Sequence, residues 1–413
     1  MAESSAYSLT KPLQGIKVIE VGQLLAGPFA GTLLAYFGAE VIKVEPPGDG
    51  DPIRGWRLLD EQGTSYWWRS LGRNKKSLTL NLRNQQGREL LGQLLNDADV
   101  LIENFKPGTM EKWGLGPEEV KQTNPNLIYT RISGYGQSGP YSRKPGYASV
   151  TEAYSGFRYI NGFQGDVPAR PNLSLGDSVA GLHAAIGILL ALLARNADRA
   201  TGGQQQGQGQ VVDVALYESM FNLMEGIVPE YSGAGEVREP AGSTITGIVP
   251  TNTYLCRDGK HVVIGGNGDS IYVRLMTAIG RDDMANDPRF AGNPGRVTHQ
   301  KLIDGAIAAW TDTLASTQVI KTMEDADVPV GAIFSIADAF EDPHYQARGM
   351  FEQVDVPNLP EPLAIPAILP KLTGTPGSTE WPGGEVGSHT DELLQKLGLD
   401  KDAIANFRAR GIV

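Results

Sequence analysis

Short β-branched runs alternate with amphipathic stretches from the start of the chain. Ile16 to Val21 (IKVIEV) predicts a strand, GPFAGTLLAYF a helix and Glu40 to Glu45 (EVIKVE) a second strand, which together make a βαβ unit. The rhythm continues through KSLTLNL, the helix GRELLGQLLNDA, the strand VLIENF, a short helix from Pro117 and the strand LIYTRIS ending at Ser133. Strands separated by helices predict a parallel sheet covered on both faces, an α/β layer architecture. The most apolar helix of the chain is predicted to start at Asp177. A Gln-rich turn after Gln204, the run VVDVAL and a helix around Glu218 follow it.

The pattern then changes. Residues 226–248 (GIVPEYSGAGEVREPAGSTITGI) are rich in Gly, Pro and Ser and predict a linker, so residues 1–225 form a large Rossmann-like domain. From 249 to 342 the chain predicts a smaller α+β domain. It opens with the hairpin TNTYLC and HVVIGG, turned by Asp258-Gly259, and continues with helices near 270–280, 299–313 and 315–326. Residues 343–413 predict a return over the large domain, with an extended Pro-rich segment at 355–384 and a final helical pair at 389–411.

Composition narrows the function classes. The 413 residues are 41% apolar and 20% charged, enough for two or three domains with real cores and outside the disordered range. A single cysteine, Cys256, allows neither a disulfide framework nor a thiolate zinc site, which favours a reducing compartment such as the cytoplasm. The net charge of -11 is spread along the chain without a basic cluster, so nucleic acid is not an expected partner. No membrane segment is expected either. The N-terminal MAESSAYSLTKPLQ has no apolar core, and the run from Val179 to Ala194 is shorter than a bilayer span and carries His183.

Among candidate motifs, Gly134, Gly136 and Gly139 spell G-x-G-x-x-G after a strand, but Pro140 to Pro145 follow where a dinucleotide site needs a helix to begin. His183, His261, His299, His344 and His389 share no metal-ligand spacing, and no G-x-S-x-G elbow is present. Asp177 stands before the apolar helix. It reads either as an N-cap or as a carboxylate held at the positive end of a buried helix. The segment IGGNGD, with Gly265, Gly266 and Gly268, reads either as a turn or as a loop whose amides can approach a ligand carbonyl.

These segments together resemble a family. GQLLAGPFAGTLLAYFGAEVIKVEPPGDGDPIRGW, GRNKKSLTLNL, DVLIENFKPGTMEKWGL, ISGYGQSGPY and LGDSVAGLHAAIGIL, in that order, are similar to the class III CoA-transferases, the family of formyl-CoA transferase and carnitine CoA-transferase. The resemblance extends through VPVGAIFSIADAFEDPHYQARGM and SHTDELLQKLGL. It implies that Asp177 forms acyl-anhydride and aspartyl-CoA intermediates and that Gly265, Gly266 and Gly268 belong to a glycine loop over that aspartate. By the same resemblance, Leu25 and Ala26 match a turn near the active site. Lys75, Lys76, Asn104, Phe105 and Lys112 match CoA-contacting segments, and Tyr135 and Trp56 match substrate-side aromatics. Leu25 replaces the glutamine of the formyl transferase, which argues against formyl or oxalyl substrates.

The resemblance is greatest to the branch that moves CoA from succinyl-CoA to small dicarboxylates such as malate, citramalate, itaconate or mesaconate. It implies an interlocked homodimer, acyl-CoA and carboxylic acid substrates, and no metal or redox cofactor. A second carboxylate on the acid calls for a fixed cation, for which Arg54, Arg69 and Arg170 are candidates. Other readings are an intramolecular transferase acting between the two carboxyls of one acyl-CoA, and a noncatalytic CoA-binding subunit. The family's racemases need a histidine beside an aspartate, where this chain has Gly146 and Tyr147.

Overall fold

The computed structural model describes residues 11–202 and 207–413. Gln204, Gln205 and Gln206 of the expected Gln-rich turn lie outside the described residues. The chain divides into two compact units. One comprises the described part of Met1–Ser155 with Pro171–Met224 and Ala347–Val413, and the other comprises Gly156–Arg170 with Glu225–Gln346.

The first unit is built on a six-stranded sheet of β1 (Lys17–Glu20), β2 (Glu40–Glu45), β3 (Lys75–Thr79), β4 (Val100–Glu103), β5 (Ile128–Ser133) and β6 (Val211–Ala215). Its order is β3-β2-β1-β4-β5-β6 and every neighbouring pair is parallel, the doubly wound arrangement. Period-two alternation sends Val18, Val41, Val100 and Ile102 to one face, against helices Ala26–Tyr36 and Leu175–Thr201. Ile19, Ile42 and Leu101 go to the other, against helix Gln85–Leu95. The C-terminal helices Thr390–Lys396 and Lys401–Ala409 bury Leu393, Leu394 and Ile404 in that second core. Within the expected Pro-rich segment, Leu363–Pro366 forms a strand that pairs antiparallel with Phe351–Val354 before it.

Helix Leu175–Thr201 begins two residues before the expected start and runs 27 residues, so by length and composition it could cross a membrane. That corrects the expectation that this run is too short. Its packing gives the other account. Ala180, Ala184, Ile188 and Leu192 lie in the sheet core, and Arg195 on the same helix is buried and paired with Asp99 at 2.7 Å.

In the second unit, β7 (Thr251–Leu255), β8 (His261–Gly265) and β9 (Val330–Ala332) form an antiparallel sheet. Gly259, at φ +76°, makes the hairpin turn. Helices Asp269–Ala278, Gln300–Thr311 and Ser316–Asp325 cover a core of Val262, Ile264, Leu275, Ile303 and Met323. The expected linker at 226–248 contains helix Ile227–Ala234 and belongs to this unit, as do residues 156–170. Gly/Pro content signals the chain leaving one core. It does not tell which core receives the residues.

Candidate active site

In a doubly wound sheet ligands approach the carboxyl ends of strands where the strand order reverses, which here is between β1 and β4. A cavity of 360 Å³ lies there. The segments that follow β1 (Gln23 to Ala26), β4 (Asn104, Phe105) and β5 (Gly134) line it together with Asp177. A second cavity, of 820 Å³, runs along the ends of β1 to β4 and shares Gln23 and Phe105 with the first. Leu82, Arg83 and Trp113 are among its lining residues, and Phe105 and Trp113 meet edge to face at 5.2 Å.

Asp177 is the third residue of helix Leu175–Thr201 and is half-buried. The cap position falls on Ser174, whose side chain makes no capping hydrogen bond, so the N-cap alternative for Asp177 is corrected. A carboxylate in the first turn lies in the favourable field of the helix N-terminus. The amide of Gly176 next to it donates to Oε1 of the buried Glu152 at 3.1 Å.

The turn after β1 is clamped by side chains. Asn104 accepts from the Gln23 amide (2.8 Å) and donates to the Gln23 carbonyl (2.7 Å). Asp51 accepts from the Leu24 amide with Oδ1 and Oδ2 (3.0 and 3.2 Å), and Lys43 Nζ donates to the Gly22 carbonyl. Leu24 adopts φ +64°, a left-handed conformation that costs a non-glycine residue roughly 1–2 kcal/mol.

Beneath that turn is a buried charge lattice. Lys43 Nζ lies 2.7 Å from Asp51 and 3.2 Å from Glu20, and Lys75 Nζ lies 2.9 Å from Glu20. Arg54 grips Glu45 with two bonds of 2.7 Å. Burial lowers Lys75 to about 8, against the pull of Glu20. For Lys43 burial acts the same way, but Asp51, Glu20 and Glu45 carry it above the ordinary lysine value. Glu45 is below its usual range in spite of burial because Arg54 holds its anion. A Cβ on Gly31 would overlap Oε2 of Glu20, so helix Ala26–Tyr36 passes this lattice only because that residue has no side chain.

The structure therefore brings Leu25, Ala26, Asn104, Phe105 and Asp177 together. Tyr135 adjoins Gly134 at the rim and packs edge to face on Tyr154 at 5.3 Å. The other expected site residues do not line these cavities. Lys75 is buried against Glu20 and the Pro28 carbonyl, with no ammonium face left for CoA. Lys76 pairs with Glu40 at 2.6 Å and lines a separate cavity by the amino ends of β2 and β3. Arg54, besides gripping Glu45, donates to the Gly384 carbonyl. Arg69 is held by Asp60 and Glu385, so neither arginine is a cation waiting for a substrate. Lys112 is exposed beside Trp113, and Trp56 is 46% exposed and lines neither cavity. Arg170 is exposed and lies in the second unit.

Gly265, Gly266 and Gly268 also lie in the second unit. In this structure the Gly265 and Gly266 amides donate to the Pro329 and Pro250 carbonyls at 3.0 and 2.9 Å. A Cβ on Gly266 would come within 2.6 Å of Leu275 Cδ2, so a side chain there would have to displace the tip of that leucine. Polar and charged cavity residues that the sequence reading missed include Gln23, Arg83, Lys106 and Lys144. The first three sit directly after predicted strands, a placement that could have drawn notice. No helix begins at Gly139, the next being Ala148–Tyr154, so the G-x-G-x-x-G run is not a dinucleotide fingerprint. No group of three or more metal-ligating residues occurs among the described residues.

Residues 13–390 match the profile of CoA-transferase family III. The chain belongs to that family. This CoA-transferase is 44% identical to a succinyl-CoA–D-citramalate CoA-transferase of Chloroflexus aurantiacus, over 98% of each chain. It is 35% identical to a succinyl-CoA:mesaconate CoA-transferase of Haloarcula marismortui, over 94% of this chain and 97% of the other. A CAIB/BAIF family protein from Brucella suis has the same fold, with a TM-score of 0.81 and 30% identity over 94% of this chain and 99% of that one.

Proposed function

We propose that this family III CoA-transferase moves CoA from succinyl-CoA to a small dicarboxylic acid of the citramalate, malate or mesaconate type, with Asp177 as the acyl carrier. The observation that carries the reading is the position of Asp177 in a pocket at the switch point, which shares Gln23 and Phe105 with a cavity large enough for a nucleotide-bearing thiol. A carboxylate with an ordinary pKa near 4 needs no general base at neutral pH.

In the proposed cycle an Asp177 oxygen attacks the donor thioester carbonyl and expels CoA thiolate, leaving a mixed anhydride. The thiolate attacks the aspartyl carbonyl, which releases the donor acid and leaves an aspartyl-CoA thioester. The acceptor carboxylate attacks that thioester to form a new anhydride and free the thiolate again. Attack of the thiolate on the acceptor acyl carbonyl gives acceptor-CoA and restores Asp177. One thioester is broken and one made, so the exchange is nearly isoenergetic, and the cycle uses no metal or redox cofactor. CoA enters as part of a substrate. Arg83 and Lys106 line the cavities and have no carboxylate partner among the described residues, so they are the cations proposed to meet the CoA phosphates.

The interlocked homodimer stays part of this reading. It is supported by the exposed apolar stripe of Leu182, Ile186, Leu189, Leu190 and Leu193 on helix Leu175–Thr201. The test of function is incubation with succinyl-CoA and a panel of C4 and C5 acids, with mass measurement of the acyl-CoA products. New acyl-CoA species from dicarboxylates support the reading, and exchange with no acid overturns it. Conversion confined to isomers of one acyl-CoA would assign the intramolecular reaction instead.

A further inference from the structure

We propose that Asp51, backed by Lys43, is a positioning residue of the transferase, holding the pocket wall at Gln23 to Ala26 in the shape that presents the acyl carbonyl to Asp177. This rests on the reading of Asp177 as acyl carrier.

Leu24 is a half-buried non-glycine residue at φ +64°, and a left-handed leucine persists only where its surroundings impose it. Asp51 supplies that imposition. Both of its oxygens accept from the Leu24 amide, and Oδ1 also accepts from the Ile53 amide at 3.1 Å. The carboxylate is itself immobilised, because its own amide donates to Glu45 (2.8 Å) and Lys43 Nζ sits 2.7 Å from Oδ2. Asp51 and Lys43 are both fully buried, and neither lines the cavity that holds Asp177. Lys43 also donates to the Gly22 carbonyl, so one ammonium group ties the turn to the carboxylate that shapes it. The turn leads directly into helix Ala26–Tyr36. A Cβ on Gly181 of the Asp177 helix would come within 2.8 Å of the Ala26 carbonyl. With so little space between turn and helix, a flip at Leu24 moves the pocket wall against the helix that carries Asp177.

The test uses the full chain with succinyl-CoA and an acceptor acid that the wild type uses. Asp51→Asn keeps the shape but removes the charge that Lys43 orients. It is expected to lower kcat roughly tenfold or more while KM for succinyl-CoA stays within about threefold, since Asp51 lines neither cavity and the cations that line the larger one are unchanged. Adding Leu24→Gly, which adopts positive φ without cost, should restore at least part of kcat. Should Asp51→Asn not accumulate folded, Leu24→Ile tests the same point. It is an isomer of the native side chain, but its β-branch disfavours the left-handed conformation, and the same selective fall in kcat is expected. An unchanged kcat in folded Asp51→Asn or Leu24→Ile would overturn the proposal, as would a double variant no better than Asp51→Asn. A wild type that transfers no CoA would instead remove the functional reading on which the proposal rests.

Discussion

Two groups of charged residues flank the turn after β1, one beneath it and one on the cavities it helps to line, and they are treated in opposite ways. Lys43, Lys75, Arg54, Glu20, Glu45 and Asp51 are buried and mutually paired under the turn after β1. Arg83, Lys106 and the half-buried Asp177 line the cavities above it. The first group has its electrostatics settled at folding and holds the backbone in place. The second is left accessible to a ligand. Nearness in sequence to a binding motif does not separate the two, because Lys75 and Lys76 stand next to each other, one sealed under helix Ala26–Tyr36 and the other on an outer cavity. What separates the cations Arg83 and Lys106 from the buried group is that no carboxylate among the described residues pairs with them.

Breaking the buried group gives the largest effect. Lys43→Met leaves Asp51 and Glu20 without their shared cation, and removing one partner of a buried pair costs about 3–5 kcal/mol. Urea unfolding is expected to show a loss of that size. A loss under about 1 kcal/mol would mean that the lattice is not what holds the turn.

A smaller effect is expected from pH. The folded value of Lys75, about 8, is below its ordinary 10.5, so between these pH values the native state binds fewer protons than the unfolded chain. Its contribution to stability therefore rises as pH goes from about 8 to 10.5, and below 8 it is constant. Against a Lys75→Met control, the wild type should gain on the order of 1 to 3 kcal/mol over that window in denaturant titrations. A flat difference would show that Glu20 keeps this lysine charged throughout.

The smallest effects belong to the accessible cations. Arg83→Gln and Lys106→Gln are each expected to raise KM for succinyl-CoA by roughly three- to tenfold, or about 0.6–1.4 kcal/mol, with kcat and stability little changed. If Lys75→Met gave the same kinetic signature, the assignment of buried and accessible groups would be reversed.

The parallel sheet was legible because β2, β4 and β5 are short runs rich in β-branched residues, separated by helical periodicity. β9, three residues long, and the Phe351–Val354 and Leu363–Pro366 hairpin were missed, since short strands without alternation carry little local signal. The membership of residues 156–170 in the second unit depends on contacts far away in sequence and could not be read locally. Asp177, Leu25, Ala26, Asn104 and Phe105 were found together through their wording. The lattice was missed because charged residues are read as solvated. Yet Glu20, Lys43 and Glu45 stand inside strands whose other residues demand burial, and that conflict was itself the signal that they must pair.

The central claim is that the Asp177 carboxylate carries the acyl group. Turnover with succinyl-CoA in the presence of hydroxylamine or borohydride, followed by peptide mass measurement, should place a hydroxamate or a reduced side chain on Asp177. The modification should be absent in Asp177→Ala, which should also lose CoA transfer. Full turnover by Asp177→Ala, or trapping at any other residue, would contradict the account.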